Sequence, residues 1–214
     1  KNFASINSNI LVKPGSMIKT ISNYKNVLAE AEVEEDFDVE FGIWDLSKLL
    51  GTISLFDDPT FEFNEKYMVI EGDNSATVRF YYSEPKLLTT VTKELNMPES
   101  VVSCEIKEED FKEIQRAAAV LQLPDLKISS NGDKIDLIIH DRKDPTSNSY
   151  SFEVGDNNDN ADFNFYFKVE NMKMLPDDYK VDICKDRVAQ FNSNNTKLRY
   201  WVAMEPDSEY NENE

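Results

Sequence analysis

Along most of the chain, apolar and polar residues alternate or apolar residues gather in short β-branched and aromatic runs, a period that places every second side chain on one face of a strand. The pattern predicts strands at 10–13, 17–21, 27–33, 37–43, 60–63, 67–71 and 77–82. A second series follows at 101–106, 126–130, 134–140, 150–154, 163–169, 179–184, 187–191 and 198–204. Two segments follow a helical period instead. Leu46, Leu49, Leu50 and Ile53 fall on one face, and Asp45 stands where it can cap the first turn. Over 108–121 the apolar stripe is Phe111, Ile114, Ala118 and Leu121, while Glu108, Glu109 and Asp110 suit the positive end of the helix dipole.

The two series repeat each other. Asp36-Phe37-Asp38-Val39-Glu40-Phe41 matches Asp162-Phe163-Asn164-Phe165-Tyr166-Phe167, and a potential helix follows each. In the second copy this helix is nearly absent, because Asn171-Met172-Lys173-Met174-Leu175 runs at once into Pro176. The offset between copies then shortens by about seven residues, two helical turns. Both copies close on three strands that end in Arg79-Phe80-Tyr81-Tyr82 and Arg199-Tyr200-Trp201-Val202. The division expected is a first unit at 1–83, a connector with Pro85 and Pro98 near its ends at 84–100, a second unit at 101–205 and an acidic tail at 206–214.

Composition narrows the function. A chain that is 40% hydrophobic and 11% aromatic folds around a shared core and is not disordered. No run of about 18 apolar residues exists, and the first residues lack a charged-then-apolar signal layout, so neither a membrane nor secretion is indicated. Cys104 and Cys184 are far apart with no Cys-x-x-Cys, which fits reduced structural thiols in a cytosol. A net charge of −18 repels nucleic acid at long range, but Glu30, Glu32, Glu34, Glu35 and Asp36 form one run and Glu205, Asp207, Glu209, Glu212 and Glu214 another. Overall acidity therefore leaves the charge of any single face open.

No catalytic motif is present. Asp156-x-Asn158-x-Asn160 opens like a calcium loop, but Ala161 replaces the required Gly and Phe167 the required Glu, so a polar turn is the reading. His140 is the only histidine, too few for a triad or a histidine metal cluster. Asp57-Asp58 and Asp177-Asp178 could hold two metal ions for a nuclease, yet both adjoin Pro59 or Pro176, where Asp serves turns. The expectation is a protein that is not an enzyme and takes no cofactor.

Several colinear segments carry a resemblance: Lys1-Asn2-Phe3-Ala4-Ser5-Ile6-Asn7-Ser8, Phe163-Asn164-Phe165, Asn171-Met172-Lys173, Asp178-Tyr179-Lys180-Val181 and Val202-Ala203-Met204-Glu205. Together they resemble the sliding clamps of T-even-type bacteriophages over nearly the whole chain, and the two-unit layout is similar to proliferating cell nuclear antigen. Departures are the missing front of the first helix and the long acidic tail. The resemblance implies an α+β DNA-clamp fold, with two units per chain and six units in a homotrimeric ring, helices lining the hole and sheets forming the wall. It implies a clamp that encircles double-stranded DNA without reading sequence and tethers a replicative polymerase in the cytoplasm of an infected bacterium. The polymerase C-terminal peptide and an ATP-driven clamp loader are the partners implied, and this chain has no phosphate loop of its own. By the same resemblance, Thr77, Arg79, Phe80 and Tyr82 of one subunit meet Tyr150, Phe152 and Val154 of the next. Leu87, Leu88, Val91, Val202, Met204 and Pro206 form the partner pocket. A β-rich virion structural or decoration protein is the alternative that composition alone allows.

The charges of the helices point the same way. Lys112 and Arg116 are i, i+4 neighbours opposite the Phe111 stripe, and Lys48 lies opposite the Leu46 stripe. Lys1 and Lys173 fall at the other two helix positions that the resemblance implies. Such cations make phosphate contacts that are independent of sequence and weakened by salt.

Overall fold

The computed structural model describes residues 1–73, 75–92, 95–158 and 160–211. Lys93 and Glu94 of the expected connector, and Glu212 and Glu214 of the expected tail, lie outside the described residues. The chain packs as two compact units, Lys1–Glu94 and Leu95–Glu214.

The first unit runs α1 (Asn2–Ile6), β1 (Ile10–Val12), β2 (Gly15–Ile21), β3 (Val27–Phe37), β4 (Phe41–Ile43), α2 (Leu46–Ile53), β5 (Thr60–Phe63), β6 (Tyr67–Glu71) and β7 (Thr77–Tyr81), and a 3-10 turn follows at Pro85–Leu87. Strands β1 and β4 pair, β2 and β3 form a hairpin, and β5-β6-β7 form a meander, all antiparallel. Helix α2 begins where expected, because the Lys48 N–H donates to Asp45 Oδ1 at 2.9 Å and satisfies one of the open first-turn donors. The strand expected at 27–33 extends through the acidic run, from Val27 to Phe37, and Glu30 is buried against Lys19, its cross-strand neighbour, at 3.1 Å. The strand expected over 37–43 is accordingly split: Phe37 closes β3 and Phe41 opens β4, and their rings meet edge to face at 5.6 Å.

The second unit runs β8 (Ser100–Ile106), α3 (Glu108–Leu121), β9 (Asp125–Ser130), β10 (Lys134–His140), β11 (Tyr150–Asp156), β12 (Asp162–Lys168), a 3-10 turn (Val169–Asn171), β13 (Tyr179–Cys184), β14 (Val188–Ser193), β15 (Leu198–Ala203) and β16 (Glu209–Asn211). From α3 onward its order repeats that of the first unit, with the 3-10 turn where α2 stood. The pairings repeat too: β9 with β12, β10 with β11, and β13-β14-β15 as a meander. The period of two becomes layers. Leu137, Ile128 and Phe165 lie side by side across β10, β9 and β12, as do Ile139, Leu126 and Phe167, and all six are buried. Phe111 of α3 meets Tyr179 at 5.9 Å, and Tyr179 meets Phe191 and Tyr200. Burial pushes the Tyr200 hydroxyl up to about 12.

Burial likewise pushes the Cys104 thiol up to about 12, so it stays protonated and unreactive at neutral pH. No helix among the described residues is long and apolar enough to cross a membrane.

Candidate nucleic-acid and partner interfaces

Helix α3 buries Phe111, Ile114, Ala117 and Ala118, which leaves Glu109, Lys112, Arg116 and Val120 on the opposite face. Its start is fixed twice: the Lys107 N–H donates to Asp110 at 3.1 Å and the Glu108 N–H to Asp178 at 2.8 Å. Lys112 and Arg116 are both exposed, as their spacing implies, but they are not equivalent. Lys112 pairs with Glu108 one turn back at 2.5 Å. Arg116 borders a hollow of about 210 Å³ with Ala117, Val120, Leu121 and Tyr150, where the Tyr150 hydroxyl donates to Glu113. Lys173 sits between the buried Met172 and Met174, and this alternation turns it outward. Gln115 of α3 donates to the Met174 carbonyl at 3.5 Å, so Lys173 belongs to the same side of this unit as the helix. In the first unit Lys1 precedes α1 and Lys48 lies on α2, both exposed.

Among the described residues, the strands that end a sheet include β7, which pairs only with β6, and β11, which pairs only with β10. Parity decides which groups each edge offers. The Tyr82 N–H donates inward to the Lys66 carbonyl at 3.0 Å, and alternation of the antiparallel ladder makes Phe80 and Val78 bond inward as well. The outward amides of β7 are therefore those of Thr77, Arg79 and Tyr81. On β11 the register slips between Ile135 and Asp136, leaving Val154 as an extra residue, and such bulges recur at sheet edges. Phe80, Tyr82, Phe152 and Val154 are half-buried, as is Tyr150.

The residues expected in a partner pocket separate by accessibility. Leu87 and Pro206 are exposed and Val91 is half-buried. Leu88, Met204 and Val202 are buried at 9%, 7% and 0% exposure. Val202 therefore serves the core, and Leu88 is packed onto Gly42, where an added Cβ would stand 2.6 Å from both Leu88 Cδ1 and the Ser83 carbonyl oxygen. Val91 lines a cavity of about 450 Å³ together with Thr89, Thr90, Thr92, Leu11, Lys13, Pro14, Met17 and Lys19. The last five were not expected there, since nothing local in the sequence ties 11–19 to 89–92. Two buried asparagines make that tie. Asn7 donates to the Ile21 carbonyl at 2.7 Å and accepts from the Asn9 N–H at 3.0 Å, and Asn9 accepts from the Thr89 N–H at 3.1 Å.

The acidic segment after β15 is not a free tail. The Glu205 N–H donates to Tyr166 at 2.8 Å, the Tyr166 N–H donates to Ser208 Oγ at 2.9 Å, and Glu209–Asn211 adds a strand to β12. Arg142 clamps it, reaching Glu205 at 2.9 Å and Asp207 at 2.5 Å while stacked over Tyr166. Behind it lies Asp125, 1% exposed, bonded to Lys168 at 2.5 Å and to the Arg142 N–H at 3.1 Å. Burial alone would push the Asp125 carboxyl up, but Lys168 and Arg142 hold it below the usual carboxylate range. A depressed folded value stabilises above the unfolded carboxylate value near 3.9 and is lost as pH falls through the lower folded value. Asp125→Asn is therefore expected to lower the unfolding free energy at pH 7 by about 2 kcal/mol, with the difference from wild type closing as pH falls below about 4. Denaturant titrations across pH check this, and a pH-independent difference would contradict it.

Comparison with known proteins adds an independent line. Residues 103–206 match the family model described as gp45 sliding clamp, C terminal. The sliding clamp of Vibrio phage KVP40 is 30% identical over 210 residues, covering 96% of this chain and 94% of that protein. The sliding clamps of Escherichia phage RB69 and Enterobacteria phage T4 are each 31% identical over 215 residues, covering 97% of this chain and 93% of theirs. Among solved structures, the fold is similar to proliferating cell nuclear antigen from A. fulgidus, bound there to the C-terminal region of FEN-1, with a TM-score of 0.70 at 12% identity over 97% of this chain and 94% of that one. The corresponding antigen from Entamoeba histolytica gives 0.67 at 13%, over 95% and 92%.

Proposed function

The chain belongs to the phage sliding-clamp family and is a processivity clamp for DNA synthesis, and on that premise we propose that three copies close a ring around double-stranded DNA. One observation carries this reading: among the described residues β7 and β11 each end a sheet with one side open, and this pair of edges lets copies join head to tail. Such a heterologous contact closes only as a ring or runs on as a filament. A two-unit chain in a six-unit ring needs three copies.

Lys1, Lys48, Lys112, Arg116 and Lys173 supply phosphate contacts inside the ring, and no base-reading element is needed because topology holds the clamp on DNA. The exposed Leu87 and the half-buried Val91 of the connector at 84–100 receive the C-terminal peptide of the polymerase. An ATP-driven loader opens the ring, and the work is done in the cytoplasm of the infected bacterium without chemistry by the clamp itself. Relatives that are clamps along almost the whole chain leave a virion structural protein without support.

The test is topological. Loaded on nicked circular DNA, the clamp should stay bound through gel filtration at moderate salt, and cutting the circle once should release it. Retention on the linear product would overturn the encircling model.

A further inference from the structure

The two cations of α3 stand in different company, and the residue that makes the difference lies on another element. Lys112 has an acid one turn back, Glu108, and pairs with it at 2.5 Å. Arg116 also has an acid within a turn, since its neighbours three and four positions away are Lys112, Glu113, Ala119 and Val120. A Glu and an Arg at this spacing on a helix attract one another into a pair. Yet Arg116 has no ion pair among the described residues. The Glu113 carboxylate accepts instead from the Tyr150 hydroxyl at the start of β11, and Glu113, Arg116 and Tyr150 all line the same hollow. That bond raises the Tyr150 hydroxyl above its ordinary value, so it remains a donor at neutral pH.

We infer that Tyr150 is a positioning residue for the contact of the clamp with DNA: by holding the Glu113 carboxylate, it keeps Arg116 open for a phosphate. The inference rests on the reading above that α3 faces the duplex, and it adds how one of the helix cations is kept available. A guanidinium already paired with a carboxylate must give that pair up to bind phosphate, and it then displaces fewer counterions. Tyr150 acts without touching DNA. Loss of its hydroxyl keeps the ring of the side chain and frees Glu113, for which Arg116 is the only cation three or four positions away on the helix. An exposed pair at this spacing shifts an equilibrium about twofold, hence about eightfold over three subunits.

The experiment is a mutant cycle read on affinity for a short fluorescein-labelled duplex across salt, with the intact clamp at concentrations where each variant sediments as wild type does. Tyr150→Phe should weaken binding about eightfold at low salt and flatten the salt dependence, as a lost phosphate contact does. Glu113→Gln should restore the wild-type level in the Tyr150→Phe clamp and change little in wild type, a coupling that a merely structural tyrosine does not produce. In an Arg116→Gln clamp, Tyr150→Phe should have no further effect. Wild-type affinity in Tyr150→Phe, or an equal gain from Glu113→Gln in both backgrounds, overturns the inference while leaving α3 on the DNA. Unchanged binding by Arg116→Gln overturns the placement of α3 itself.

Discussion

Replacing Lys112 and Arg116 with Glu in every subunit is expected to abolish clamp-dependent processive synthesis at physiological salt while leaving the fold intact. Both side chains are exposed on the face of α3 opposite Phe111, Ile114, Ala117 and Ala118, so no core contact is lost. The local cost is small. Lys112→Glu exchanges an attractive i, i+4 pair with Glu108 for a repulsive one, about 0.5 kcal/mol or less in each direction. The effect on DNA is large, because each chain carries −18 and only local cations offset that charge near the duplex. Charges beyond a Debye length of about 8 Å are largely screened, so distant acids matter less than these few groups. Each lost phosphate contact also removes about 0.9 from the salt slope of binding. Primer extension on a singly primed circular template, measured across salt, is the check. Normal product lengths from the double variant at moderate salt would show that the DNA does not pass along α3.

On the proposed three-copy ring, Arg79→Pro is expected to give a monomer without unfolding the first unit. The Arg79 amide points to the open side of β7, whereas the amides of Phe80 and Tyr82 bond inward to β6. Proline at 79 removes a donor from the proposed seam and places its ring where the neighbouring strand would pair, yet every β6–β7 bond survives. Proline at 80 has the opposite effect: it breaks the ladder inside the sheet and costs stability whatever the seam does. Sedimentation at micromolar concentration and thermal unfolding of the two variants separate the outcomes. A trimer that persists in Arg79→Pro would place the seam elsewhere.

Much of the architecture is written locally. The Phe111-Ile114-Ala118 stripe gives α3, Asp45 gives the start of α2, and alternation in Ile135, Leu137, Ile139 and Phe163, Phe165, Phe167 gives two strands and the face each buries. The repeat gives the two-unit plan, including the turn that replaces α2 before Pro176. These features are legible because a side chain's orientation repeats with the backbone period, which the sequence carries position by position. Pairing between distant segments carries no such period. The acids from Glu30 to Asp36 read along the chain as one acidic run, and pairing with Lys19 on the neighbouring strand is what accompanies Glu30 into the interior. Val202 and Met204, which the resemblance places in a partner pocket, are buried. Glu205 and Asp207 look like the start of a tail until Arg142, more than sixty residues earlier, holds them and β12 takes up Glu209–Asn211 as a strand. Val91 comes to line one cavity with Leu11 and Met17, and the Asn9–Thr89 hydrogen bond joins the two segments there. In each case the deciding contact joins segments that chain order leaves apart, so its energy exists only once the tertiary structure has brought them together.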